Sequence, residues 1–274
     1  MSDGRLETPA PPRRGVLGGV AAAAALVLGK LKLVLIFLLK LGKFATTGST
    51  MLLAAWAYAL MYGWRFAVGL VLLTLVHEVG HALVARRLGL PVSAPVFVPF
   101  FGAYVKLGKL PRSSWDSFLV SIGGPLAGSA ASALCVLAGA WVGGWTGGLL
   151  VAVGFYGRTI NLFNLVPFGF LDGARAIVPI PWRAGAAATA FAGFVLFVAV
   201  RETGHLDPVP LLVLIGAAWQ FWSRRRRPAG APADTIPDVA TPGQRHAALA
   251  IYFGTVIGLS VAVQVLHAHL PRVR

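Results

Sequence analysis

Acidic side chains are scarce in this sequence, with nine Asp and Glu against 24 Lys and Arg, and only 12% of all residues are charged. Soluble domains carry about 25% charged residues, so a water-covered globular surface is excluded. Cysteine is scarcer still. Cys135 is the only one and lies in an apolar run, which excludes a disulfide framework and a thiolate metal cluster. A metal ion bound by this chain has to use imidazole and carboxylate. In place of charge there are apolar residues, 57% of the chain, gathered in runs long enough to cross a bilayer. The net charge of +15 would suit a nucleic-acid partner, but Lys and Arg stand at the ends of the apolar runs, where membrane topology puts them. The lipid bilayer is the expected partner, and no nucleic acid is.

The few acids are informative by position. Asp3, Glu7, Asp116, Glu202, Asp207, Asp234 and Asp238 fall in termini, loops or segment ends, which leaves Glu78 and Asp172 inside or beside apolar stretches. Glu78 belongs to Leu75-Val-His-Glu-Val-Gly-His-Ala-Leu-Val84, an H-E-x-x-H motif. On a helix His77 and His81 project from one face a turn apart, within reach of one zinc ion. Zinc lowers the pKa of its water to about 7, and a carboxylate beside it can take the proton and pass it to a leaving amine. That chemistry hydrolyses peptide bonds. On an amphipathic helix the same letters would serve packing or solvation as readily. Here Glu78 is the only charged residue between Arg65 and Arg86, and a carboxylate at the centre of a membrane helix needs compensation. A bound cation supplies it.

Along the chain, residues 1–14 read as a disordered, proline-bearing cytoplasmic tail. Residues 15–43, an Ala-rich run followed by Lys30, Lys32, Lys40 and Lys43, read as a membrane-associated or interfacial segment, with a true span as the alternative. Residues 44–223 form the expected core, 224–245 a basic cluster and disordered linker, and 246–274 a C-terminal transmembrane helix. Within the core, spans are expected at 44–64, 65–87, twice in 117–157 around a glycine-rich break at 143–148, at 184–200 and at 208–223. The fold class is an all-α polytopic membrane protein of about six to eight membrane segments. Arg86, Lys106, Lys109, Arg112, Arg183 and Arg224 then fall on one side, which the positive-inside rule makes cytoplasmic.

Residues 91–112 break the helical pattern. Their aromatic and β-branched residues, interrupted by Pro and Gly, suggest a small β-like re-entrant element near the active site, or a connecting loop. Proteolysis needs an extended substrate, and an unpaired strand edge can hold one. The stretch Ser121-Ile-Gly-Gly-Pro-Leu-Ala-Gly128 reads as close helix packing. Arg158 could pair with a carboxylate, line a water-filled entry or reach an interface. Asn161 and Asn164 share roughly one helical face before Pro167. His205, His246, His267 and His269 have no partner at ligand spacing and read as interfacial.

Two stretches carry a family resemblance. His77-Glu-Val-Gly-His81 and Asn164-Leu-Val-Pro-Phe-Gly-Phe-Leu-Asp-Gly173 resemble the H-E-x-G-H and N-x-x-P-x-x-x-L-D-G motifs of the site-2 protease family of intramembrane zinc metalloproteases. The resemblance covers about residues 65–175. It implies a Zn2+ site of His77, His81 and Asp172, Glu78 as general base and acid, and Asn164, with Asn161 a weaker candidate, in contact with substrate. It also implies hydrolysis of peptide bonds in or near transmembrane segments of other membrane proteins; the charge topology puts the active site toward the cytoplasmic side, and the Ala- and Arg-rich composition suggests a bacterial cell membrane. Gly169 departs from the proline of many relatives. Two rival readings are a catalytically silent scaffold that binds membrane helices and a membrane zinc carrier. A carrier needs ionisable residues across the bilayer, and a silent scaffold would be expected to have lost Glu78 or a ligand.

Overall fold

The computed structural model describes residues 47–204, 206–225 and 236–269. The expected tail (1–14), the segment 15–43, the linker from 226 to 235 and His205 lie outside the described residues. The described chain is helical apart from one two-stranded sheet. Helix α1 (Thr47–Tyr62) leads directly into α2 (Trp64–Arg87). Helix α2 stops where its apolar run stops. Gly89 adopts φ 72°, and the Leu90 amide turns back onto the Ala85 carbonyl at 2.9 Å, closing the helix end as a glycine C-cap does.

Residues 91–112 contain a short hairpin, β1 (Val96–Val98) and β2 (Gly102–Tyr104), antiparallel with Phe97 opposite Ala103. This is the extended element anticipated from the aromatic and β-branched pattern. Its inner side is pinned to α1. Phe97 is buried and its amide donates to Thr50 Oγ1 at 3.2 Å, Thr47 Oγ1 donates to the Pro95 carbonyl at 2.7 Å, and the Phe100 amide donates to Tyr58 Oη at 3.2 Å.

Helix α3 (Ser114–Val142) starts on Ser113, whose side chain accepts from the Asp116 amide, an N-cap that satisfies one of the free amides of the first turn. The anticipated glycine break follows. Gly143 and Gly144 both have positive φ, and the chain reverses into α4 (Gly144–Asn164). Small residues let the two helices touch backbone to backbone: a side chain at Gly147 would meet the Gly139 carbonyl, and one at Gly154 the Ser132 carbonyl. In a membrane this matters more than apolarity, because lipid tails are as apolar as the core and tight packing has to favour association.

The chain continues through the short α5 (Asp172–Ala176), then α6 (Trp182–Thr203), α7 (Pro208–Arg225) and α8 (Pro242–His269). A core of Phe118, Leu162, Leu165, Ile177, Val213, Phe221, Tyr252 and Val256 joins the ends of α3 and α4 to α7 and α8. Four of the described helices, α2, α3, α6 and α8, are long and apolar enough to cross a membrane. The larger number expected from the sequence needs α1, α4 and α7 to cross as well. Large apolar side chains face outward along these helices, among them Leu52, Leu134, Trp141 and Phe194, and a lipid-covered protein needs such a surface.

Candidate metal and catalytic site

Three elements converge around the motif helix. On α2, His77 and His81 lie on a face kept narrow by Gly80, where a side chain would collide with the Gly123 carbonyl of α3. That contact brings α3 close enough to receive the imidazoles. His81 Nδ1 donates to the Val120 carbonyl at 2.7 Å. Its ring lies flat over Gly124, where any Cβ would overlap the ring, and Gly128, one turn on, leaves room for the Asn161 amide of α4. Pro125 removes an amide from this part of α3, so the Ser121 carbonyl has no donor within the helix and the turn is loosened.

Asn161 fixes the other histidine. Its Nδ2 donates to the Gly157 carbonyl at 2.7 Å, which turns Oδ1 toward His77 Nδ1 at 2.6 Å. Oδ1 can only accept, and so can the Val120 carbonyl. Both Nδ1 atoms therefore carry the hydrogen, and in the neutral rings both Nε2 atoms present lone pairs.

Those two nitrogens face each other at 3.0 Å, and Asp172 Oδ2 lies 3.2 Å from each. Three lone-pair atoms meeting this closely repel one another unless a cation sits among them. Zinc takes N and O ligands at about 2.0–2.2 Å in a tetrahedron, which separates ligand atoms by about 3.3 Å. The observed triangle fits one face of such a tetrahedron. Glu78 is 4% exposed, and its carboxylate forms a looser group with the two histidines, within 4.8 Å. It stands beside the triangle and Asp172 closes it.

Asp172 arrives from a separate stretch. Pro167 follows the end of α4, and the chain turns so that Asp172 opens α5. A side chain at Gly173 would run into the Leu165 carbonyl, so the residue after Asp172 has to be glycine for the loop to fold back this tightly.

Of the residues singled out from the sequence, His77, Glu78, His81 and Asp172 come together. Asn161 is there too, but in another position than expected: at 3% exposure, with its amide spent on His77 and Gly157, it stands behind the imidazole, not toward a substrate. Asn164 is half-buried at the end of α4 and receives no hydrogen bond from the described residues. Arg158 forms no ion pair among the described residues. The Val120 carbonyl, Gly124 and Gly128 were not anticipated as parts of the site. The available signal was the small-residue stretch Ser121–Gly128, read as close packing, which does not say that what packs there is an imidazole and an amide.

Residues 65–146 match the model of peptidase family M50. A Mycobacterium tuberculosis protein carried under the name zinc metalloprotease Rip3 is 35% identical over 122 residues, covering 43% of this chain and 31% of that protein. A Synechocystis protein named zinc metalloprotease sll0528 is 32% identical over 114 residues, 39% of this chain and 28% of its own length. The Arabidopsis thaliana chloroplast protein named zinc metalloprotease EGY2 is 38% identical over 72 residues, 24% of this chain and 13% of its own. The chain thus spans about a third or less of the length of the curated relatives it matches. With the H-E-x-x-H helix inside the matched segment and the loop of Asp172 folded against it, residues 65–146 of this chain are similar to peptidase family M50.

Proposed function

We propose that the protein is an intramembrane zinc metalloprotease, a hydrolase that cuts peptide bonds in or near the transmembrane segments of other membrane proteins. The observation that carries this reading is the triangle of His77 Nε2, His81 Nε2 and Asp172 Oδ2, with separations of 3.0 and 3.2 Å. His77, His81 and Asp172 would hold Zn2+. When bound, the ion supplies a Lewis acid and water activated near neutral pH.

This chain's residues supply the rest. Glu78, buried beside the histidines, takes the proton of the attacking water and gives it to the leaving amine. Asn161 holds the His77 tautomer, and Val120 holds that of His81. Asn164, whose amide forms no hydrogen bond among the described residues, is the candidate for contact with the substrate carbonyl. The hairpin at 96–104 offers a strand edge to an extended peptide, and a substrate helix with weak helix formers unwinds to fit it most easily. The basic ends of α2 and α7 are cytoplasmic on this reading, with the site in the cytoplasmic half of a bacterial membrane and the role that of regulated intramembrane proteolysis.

The test is cleavage of single-span reporters in membranes by wild type, Glu78→Gln and Asp172→Asn, with metal content measured in parallel. Glu78→Gln should keep zinc and lose cleavage, by about 10²- to 10⁴-fold for a missing general base, and Asp172→Asn should lose both. Cleavage by Glu78→Gln at the wild-type rate would overturn the assignment. Zinc bound without cleavage of any reporter by wild type would favour the scaffold or carrier reading.

A further inference from the structure

The loop bearing Asp172 is held from outside by side chains of α7 and α8. At its start, Tyr252 of α8, fully buried, donates its hydroxyl to the Leu165 carbonyl at 2.6 Å. Gly173 rests against that same carbonyl. Gln220 Nε2 of α7 donates to the Pro167 carbonyl at 3.0 Å. At the far end, Arg224 Nη1 reaches the carbonyls of Ile177 and Val178 at 2.8 and 3.3 Å, and Arg245 Nη1 of α8 reaches that of Pro179 at 3.1 Å. Arg245 is itself oriented by Asp238 at 3.1 Å, which accepts from Ser114 Oγ, at the start of α3, at 2.6 Å.

Carbonyls outside a helix or sheet need donors from elsewhere when water is excluded. Here the donors come from both ends of the loop and from two different helices, so the backbone on either side of Asp172 is referenced to α7 and α8, while the histidines are referenced to α3 and α4. We infer that Tyr252 and Gln220 are positioning residues for Asp172, setting the place of its carboxylate relative to the two imidazoles and so the strength of metal binding. This rests on the zinc reading proposed above. Residues that orient the ligands of a metal are typically worth about 10- to 100-fold in affinity.

The experiment uses full-length protein purified in detergent, with Zn2+ affinity measured by competition against a chromophoric chelator and melting measured on the metal-free protein. Tyr252→Phe removes one hydroxyl, Gln220→Met removes the donor at nearly constant volume, and Thr255→Ala, a half-buried position one turn along α8 whose hydroxyl donates only to the Ile251 carbonyl of its own helix, serves as the control. Tyr252→Phe and Gln220→Met should each bind Zn2+ about 10- to 100-fold more weakly, with Thr255→Ala as wild type and metal-free Gln220→Met still melting in one cooperative transition. If Tyr252→Phe does not fold, Gln220→Met alone decides the matter. Affinity within about twofold of wild type in the folded variants, where a positioning residue is worth tenfold or more, would overturn the inference, as would an equal loss in Thr255→Ala. Wild type binding Zn2+ no better than His77→Ala would instead sink the zinc reading beneath it.

Discussion

Replacing Gly124 with alanine adds a single methyl group and should disable the site. The new Cβ would fall 2.5 and 2.6 Å from His81 Cε1 and Cδ2 and closer still to Nε2, whereas carbon atoms rest at about 3.5–4.0 Å. The ring has to yield by about 1 Å. It has nowhere to go, because Nδ1 is tied to the Val120 carbonyl at 2.7 Å and α3 meets α2 backbone to backbone at Gly80 and Gly123. Overpacking of this kind costs about 1–3 kcal/mol, and a 1 Å displacement of a reacting group costs about 100-fold in rate. Gly124→Ala is therefore expected to lose about 100-fold in reporter cleavage, with weakened zinc binding by chelator competition. Gly148→Ala, on α4 where an added Cβ meets nothing within 4 Å, is the matched control. Zinc affinity and cleavage at wild-type levels in Gly124→Ala would refute the reasoning, since they would mean the ring is not confined.

Three further outcomes follow from the same geometry. Asn161→Leu leaves His77 Nδ1 without its acceptor and should weaken zinc binding by about 10- to 100-fold, read by the same competition, and Gly128→Ala, which pushes into the Asn161 amide, should act in the same direction. Stripping the metal with a chelator should lower the melting temperature, since a ligand at a hundred times its Kd stabilises by about 2.7 kcal/mol, and Asp172→Asn should melt identically with and without the chelator. Tyr58→Phe removes the acceptor of the Phe100 amide and loosens the hairpin; a neutral hydrogen bond is worth about 0.5–1.5 kcal/mol, so reporter KM should rise a few-fold with kcat kept, and an unchanged KM would argue against the hairpin as the substrate edge.

The parts of the site that can be read from the sequence are those that carry chemistry in their letters. His77 and His81 announce themselves through helical spacing, and Asp172 through the rarity of acids around it. Residues 91–112 declare an extended element because repeated Pro and Gly, set among β-branched and aromatic residues, disfavour a helix and favour strands. The supporting parts are silent for physical reasons. The Val120 carbonyl is a backbone atom, identical in every residue. Gly124 and Gly128 report that something comes close and not that it is an imidazole or an amide. Asn161 and Asn164 differ by less than a turn, and only the approach of α2 to α4 decides which of them meets His77. Arg224 was legible as the charged end of a run, while its reach to the carbonyls of Ile177, Val178 and Ile180 depends on how α7 docks.

The hold of Tyr252 on Leu165 spans 87 positions of the chain, and that of Arg245 on Pro179 spans 66. His81 meets Val120 across 39 positions and His77 meets Asn161 across 84, both within α2 to α4. Ribosomes deliver a chain from its N-terminus, so both imidazoles are oriented as soon as α4 is in place. The Asp172 loop follows α4, but until α8 is made it lacks the hydroxyl and guanidinium donors of that helix. A growing chain thus carries two oriented histidines before it carries the donors that hold the Asp172 loop, and synthesis of α8 supplies them.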